Sequence, residues 1–234
     1  MTDLKPDYLK QQLETMAPHR ALLRSVECKF MADVPLISPS LDIGCGEGHF
    51  ASIAYDRPID VGIDPLAKDL EEARTKVPVV YRHLLLGSAT ALPFPDCSFQ
   101  TVVSNSVIEH IEDIDSVVHE IARVLKPGGV FAATYPSEYY PEYLLGTTLA
   151  NKVRAKRVAS AYGNFFNRIS YHHHIDSPNI WAKRYDDAGL SVETHTYYFS
   201  PEAHQAFDIA HYLGMPNLLS TRVLGRWVTH PLQT

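Results

Sequence analysis

Two carboxylates and three glycines carry the most chemistry in this chain. Asp42 stands two residues ahead of Gly44 in Leu41-Asp42-Ile43-Gly44-Cys45-Gly46-Glu47-Gly48-His49-Phe50. Glycines at alternate positions remove Cβ atoms where backbone must pass close to a ligand or take positive φ. The small Cys45 side chain fits the same tight turn. A GxGxxG spacing would seat a pyrophosphate on a helix N-terminus. Here the spacing is Gly44-x-Gly46-x-Gly48 behind an acid, which repels a pyrophosphate and attracts an ammonium group. Asp64, 22 positions after Asp42, ends Val61-Gly62-Ile63-Asp64, where a carboxylate can accept both hydroxyls of a ribose. NAD-binding folds also use an acid at this place, so Asp64 indicates a nucleoside without naming it. With Pro65 after it, Asp64 is equally placed to start a helix. The pair predicts a nucleoside ligand that carries a positive charge.

A second group of candidates is histidine-rich. His110, in Ser104-Asn105-Ser106-Val107-Ile108-Glu109-His110-Ile111, is the candidate general base for an acceptor that must lose a proton. Glu109 and His110 can instead simply orient their loop. The run Tyr171-His172-His173-His174 invites a metal reading, and on extended chain only His172 and His174 share a face. A third ligand would have to come from Glu109 or His110, and the expectation is no metal, with His172 and His174 lining a pocket.

The elements that must position these groups follow from the spacing of apolar residues. Residues 1–35 predict a helical cap broken at Pro18. Strands are predicted at Ser40–Ile43, Ile59–Ile63, Val79–Leu86, Phe99–Ser104 and Gly129–Thr134. Helices are predicted between them at His49–Ala54, Leu66–Lys76 and Ile114–Val124. Strands alternating with helices at this interval imply a parallel sheet covered on both faces. Regularity stops at Tyr135. A helix at Asn179–Ala188, an alternating strand at Ser191–Phe199 and a helix from Pro201 follow.

The ordered motifs resemble the class I S-adenosylmethionine (SAM)-dependent methyltransferases, of the small-molecule, "type 11"-like kind. The glycine turn is similar to their motif I, Asp/Glu-x-Gly-x-Gly-x-Gly. Gly87-Ser88-Ala89-Thr90-Ala91-Leu92-Pro93-Phe94-Pro95-Asp96-Cys97-Ser98-Phe99-Gln100 resembles their GDAxxLPFPDxSFD segment, with Ser88 in place of the adenine-contacting acid and Gln100 in place of the last Asp. Val124-Leu125-Lys126-Pro127-Gly128-Gly129 matches their turn ahead of strand five. The resemblance implies cofactor contacts from Asp42, Gly44, Cys45, Gly46, Gly48, Asp64, Pro65, Ser88, Ala89, Asn105 and Ser106. It implies a Rossmann-like, doubly wound, mostly parallel seven-stranded sheet, although spacing alone marks about six strands. Some relatives of that fold hold a metal through Glu-x-x-Glu-His, and Ser106 stands where the first of those glutamates would be.

On this reading residues 1–234 form one domain: a helical cap (1–35), a SAM-binding core (36–134), a substrate-lid insertion (135–178) and a C-terminal part (179–234). Eight Tyr and Phe between Tyr135 and Tyr171, with Tyr135 and Tyr139 foremost, would line an apolar acceptor pocket. The expected reaction is transfer of a methyl group from SAM to O, N or C of a small molecule, leaving S-adenosyl-L-homocysteine. The alternatives are non-methyl transfer on the same fold, or a non-catalytic partner subunit.

A net charge of −6 argues against a general nucleic-acid binder. Three scattered cysteines without a CxxC pair argue against a disulfide framework and fit a cytoplasmic protein. No basic start followed by an apolar run suggests a secretory signal, and no apolar run of about 18 residues suggests a membrane span. Leu219, Val223 and Trp227 line one face of a possible tail helix that would touch a membrane surface or a partner. A monomer or homodimer is expected.

Overall fold

Short buried strands and amphipathic helices alternate through the first 134 residues, and every strand pair between them is parallel. The computed structural model describes residues 7–224, with side chains described through Tyr212. The tail face of Leu219, Val223 and Trp227 therefore lies outside the described side chains.

Strand β1 (Ser40–Ile43) is buried at all four positions, because it lies in the middle of the sheet. Helix α3 (His49–Ala54), β2 (Ile59–Asp64), α4 (Ala67–Lys76), β3 (Tyr81–Leu86), β4 (Phe99–Asn105), α5 (Ile114–Val124) and β5 (Leu125–Thr134) follow in order; the N-terminal helices α1 (Tyr8–Leu13) and α2 (Pro18–Met31) precede them. The sheet order is β3-β2-β1-β4-β5. The chain reverses direction across the sheet between β1 and β4, and in open α/β sheets a ligand crevice forms beyond the carboxyl ends of strands at such a switch point. Helix α5 shows why this layering is stable. Ile114, Val117, Val118, Ile121 and Val124 fall on one face and are all buried, and the Asp113 carboxylate caps the first turn by accepting from Ser116 N at 3.2 Å.

The sheet has five strands among the described residues, where seven were expected. Residues 191–198, within the strand expected at Ser191–Phe199, form no strand and pair with no sheet among the described residues. Their alternation is real, but Val192 is 43% exposed, and an alternating pattern needs a buried face to set its register. At β5 the pairs Phe99–Leu125 and Thr101–Val130 leave Lys126-Pro127-Gly128-Gly129 looped out within the strand.

The chain divides into two compact units. One comprises Phe30–Glu138 and Asn167–Thr196 and contains the sheet. It also holds α9 (Pro178–Asp187), which buries Trp181 and Tyr185 one turn apart and stops at Gly189, whose φ is +84°. The other comprises Met1–Lys29, Tyr139–Phe166 and Tyr197–Thr234 and is mainly helical over its described residues. There the stretch where sequence regularity stopped is helical too: α6 (Tyr140–Tyr143), α7 (Leu145–Lys152) and most of α8 (Lys156–Ile169). Ala159, Gly163 and Phe166 are the buried stripe of α8. With α10 (Pro201–Leu224) these helices enclose Asp208, fully buried, whose carboxylate accepts from the Tyr162 hydroxyl at 2.8 and 2.9 Å and from Gly146 N at 3.3 Å.

Candidate functional site

The glycine turn is held by hydrogen bonds to the neighbouring strand. Gly44 N and Cys45 N both donate to the Ile63 carbonyl, at 2.8 and 3.1 Å. Gly44 has φ +72°, and a Cβ there would fall 2.3 Å from Val107 Cγ1, so the turn packs directly on the chain leaving β4. Only glycine meets both conditions.

Asp64 closes the turn from the other side. Its Oδ2 accepts from Gly46 N and its Oδ1 from Leu66 N, both at 2.9 Å. Each carboxylate oxygen retains a second lone pair for a ribose hydroxyl. Pro65 precedes the helix, which begins at Ala67 with Leu66 as its cap residue, so Asp64 does not cap it. Asp42 is 7% exposed on β1, and its Oδ2 accepts from the Tyr81 hydroxyl at 2.6 Å. Burial pushes its carboxyl up to about 7; the Tyr81 hydrogen bond pulls it back and the nearby Asp64 charge pushes it up again. Burial and the charges of Asp42 and Asp64 also push the Cys45 thiol up, which keeps it inert. Tyr81 is the residue that sequence reasoning missed. Its only signal is a polar-tipped aromatic opening a strand adjacent to β2.

Ala89 is buried in the main core, whereas Ser88 is exposed and pairs with Thr90 Oγ1 at 2.8 Å. The following loop is bolted to α5. Arg123 donates to the carbonyls of Phe94 at 2.7 Å and Leu92 at 3.0 Å and to Asp96 at 2.8 Å, while Glu120 accepts from Leu92 N at 2.6 Å. Much of the Leu92–Asp96 motif is thus a fixed loop. At the end of β4, Asn105 Nδ2 donates to Thr134 Oγ1 and Ser106 N to the Thr134 carbonyl at 2.9 Å, with Ser106 at φ +49°.

Beyond β4 the chain makes a 3-10 turn, Ile108–His110. The backbone of His173 and His174 folds against it, both N–H groups donating to the Glu109 carbonyl at 2.9 and 3.1 Å. Glu109 is 1% exposed, and His110 Nε2 lies 3.6 Å from its Oε1. The His110 and His172 rings stack at 5.3 Å. Burial, with a smaller push from His110, holds His172 down to about 4, so it is neutral near pH 7. His172 and His174 were expected to act together, yet they part: His174 Nε2 bonds to the carbonyls of Ile111 and Glu112, both at 3.1 Å. Tyr135 stacks on Trp181 at 4.2 Å in the sheet-bearing unit, and Tyr139 stacks on Tyr143 at 5.1 Å in the helical one.

Residues 41–133 match the family model described as a methyltransferase domain. Over that stretch the chain is similar to methyltransferases, among them one named for its dependence on SAM. A probable SAM-dependent methyltransferase of Mycolicibacterium smegmatis is 40% identical over 100 residues, which cover 42% of this chain and 37% of the relative. A demethylmenaquinone methyltransferase of Symbiobacterium thermophilum is 34% identical over 113 residues, covering 44% and 45%. The chain spans less than half the length of these curated relatives. The [4+2]-cyclase SpnF shares the fold, with a TM-score of 0.60 at 17% identity over 93% of this chain and 73% of that one. The Rossmann-like α/β fold expected from the sequence is the fold observed, and no described helix is long and apolar enough to cross a membrane.

Proposed function

We propose that this protein binds SAM in the crevice above β1, β2 and β4 and transfers its methyl group to a small-molecule acceptor. The observation that carries the reading is the pairing of Asp42 and Asp64 around a glycine turn with φ positive at Gly44, Gly46 and Gly48. Asp42 would meet the ammonium group of the aminocarboxypropyl end. Asp64 would take the ribose, and Ala89 with Ser88 would flank the adenine. Asn105 and Ser106 would line the methionine side. The sulfonium already activates the methyl group, so positioning supplies most of the catalysis. His110, exposed enough to exchange protons, would take one from an acceptor that carries it.

A small acceptor is supported by the similarity to a relative named for demethylmenaquinone and by the Tyr135–Trp181–Tyr185 aromatic stack. Three free cysteines support a reducing, cytoplasmic setting. Calorimetry should show SAM and S-adenosylhomocysteine binding and NAD giving no heat; NAD binding in their place would overturn the reading. Methyl-labelled SAM then decides the chemistry. Label in the acceptor supports methyl transfer, and a turned-over acceptor without label would sink it.

A further inference from the structure

The corner between α7 and α8, inside the helical unit, carries positive charge that the fold does not use. Residues 143–166 hold four Lys or Arg and no Asp or Glu, in a chain whose net charge is −6. All four lie in Lys152-Val153-Arg154-Ala155-Lys156-Arg157, and all four are exposed. Cations on α4, α5 and α9 reach carboxylates, as Lys76 does Glu72 at 2.6 Å, Arg123 Glu120 at 2.7 Å and Lys183 Asp187 at 2.6 Å. The four at the corner form no ion pair among the described residues. Asp208, whose carboxylate bonds to both helices, is fully buried on Tyr162 and Gly146 N and does not reach that surface.

Local stability explains only one of these cations. Lys152 stands in the last turn of α7, where positive charge complements the helix dipole. Lys156 and Arg157 open α8, where the same dipole disfavours them, and no acid accompanies them in that turn. Arg154 takes φ +60°. Its N–H donates to the Asn151 carbonyl at 3.0 Å and Ala155 N donates to the Ala150 carbonyl at 2.8 Å. Those are the paired bonds of a Schellman motif, whose left-handed position is usually glycine. Three of the four cations thus occupy places where the helices alone would favour another residue.

Apolar side chains at the same corner are also turned to solvent. Leu149 and Val153, four residues apart, are 51% and 75% exposed; Val158 and Phe165, seven apart on α8, are 61% and 45% exposed. The stripe of α8 that does pack, Ala159, Gly163 and Phe166, lies about a third of a turn round the helix from them. A nucleic acid would pair with the cations and leave these aliphatic groups in water. An anionic bilayer accommodates both, because Lys and Arg stems run along apolar surface while their heads meet phosphate.

We infer that the α7–α8 corner docks on an anionic lipid bilayer. Leu149, Val153 and Val158 enter the boundary between headgroups and acyl chains, and Lys152, Arg154, Lys156 and Arg157 meet the lipid phosphates. The inference rests on the helical unit alone and stands or falls apart from the proposed methyl transfer.

The test floats the full chain with vesicles of phosphatidylcholine, or of equal parts phosphatidylcholine and phosphatidylglycerol. The wild type should float with the anionic vesicles only, and less as NaCl rises from about 50 to 500 mM. Lys156→Glu with Arg157→Glu should weaken binding about tenfold or more. That chain should melt no lower than the wild type, because acids then stand at a helix N-terminus. Lys68→Glu with Lys183→Glu makes the same change in net charge elsewhere and should bind as the wild type does. Leu149→Ser with Val153→Ser leaves the charge alone and should weaken binding about fivefold or more. Equal flotation with both vesicles, or with neither, refutes the inference. So does a folded Lys156→Glu, Arg157→Glu chain that floats like the wild type, which is what docking through residues 219–227 would give. Binding indifferent to Leu149→Ser with Val153→Ser would mark a general polyanion surface and overturn the bilayer as its partner.

Discussion

At Asp42 two requirements oppose each other. Burial favours the neutral acid, and the cationic cofactor proposed for this site would require the carboxylate. The folded-state value of about 7 lies above the ordinary 3.8, so the native protein holds a proton that the unfolded chain loses between those values. The stabilisation is complete below 3.8 and is lost as pH rises through about 7, on the order of 4 kcal/mol in all. Binding of a cation reverses the preference and expels the proton. SAM affinity should therefore climb with pH and level off above about 7, with proton release visible below it when calorimetry is run in buffers of different ionisation enthalpy. Asp42→Asn should bind more weakly with a flat profile, and a profile unchanged by that substitution would count against the assignment. Asp64→Ala tests the other end. It deletes the acceptor proposed for both ribose hydroxyls and frees Gly46 N, so SAM affinity should fall by about 2 to 4 kcal/mol, roughly 30- to 1,000-fold.

Arg123 is where one element positions another. From α5 it reaches two carbonyls and Asp96 in the loop ahead of β4, and its planar fork satisfies several acceptors at once. Arg123→Ala should cost about 2 kcal/mol and lower Tm by about 4 to 8 °C, with amide exchange rising first in residues 92–97. Arg123→Lys should recover only part, since an ammonium cannot span the same carbonyls; full recovery would mean that charge alone holds the loop. The elements that sequence showed clearly are those whose burial is local and complete. β1 and β4 sit inside the sheet, α5 shows an unbroken apolar stripe, and both acids stand at strand ends within a few residues of their predicted places. What sequence concealed depends on chain returning from far away. Tyr81 meets Asp42 across 39 positions, and His172 reaches His110 only because its neighbours bond the Glu109 carbonyl. Residues 191–198 misled for the converse reason: their local alternation is that of a strand, but they join no sheet among the described residues.

At the scale of the molecule, the two units differ in what holds them. The sheet-bearing unit rests on a continuous apolar core around β1, β4 and α5. The helical unit is drawn from three separate stretches of chain and has a smaller core of Tyr140, Leu144 and Phe166, supplemented by buried polar groups. The half-buried His19 of this unit is held neutral. Burial, then the nearby His211 and Arg20, lower it from 6.5 to about 4, and burial lowers His204 as well. A depressed base stabilises the fold fully above its unfolded value, and that stabilisation is lost as pH falls from about 6.5 toward 4, at most about 3 kcal/mol for His19. The helical unit should therefore loosen in mild acid. Hydrogen exchange, corrected for intrinsic rates, should show protection in residues 18–29 and 156–166 falling between pH 7.5 and about 5. His19→Phe retains an aromatic ring against Phe207, now 5.5 Å from the histidine, and removes the titrating nitrogen. It should blunt the acid-induced loss, leaving the share that His204 contributes. An equal loss of protection in His19→Phe would show that acid acts on this unit through other groups, because a side chain that cannot take up a proton cannot transmit the change in pH.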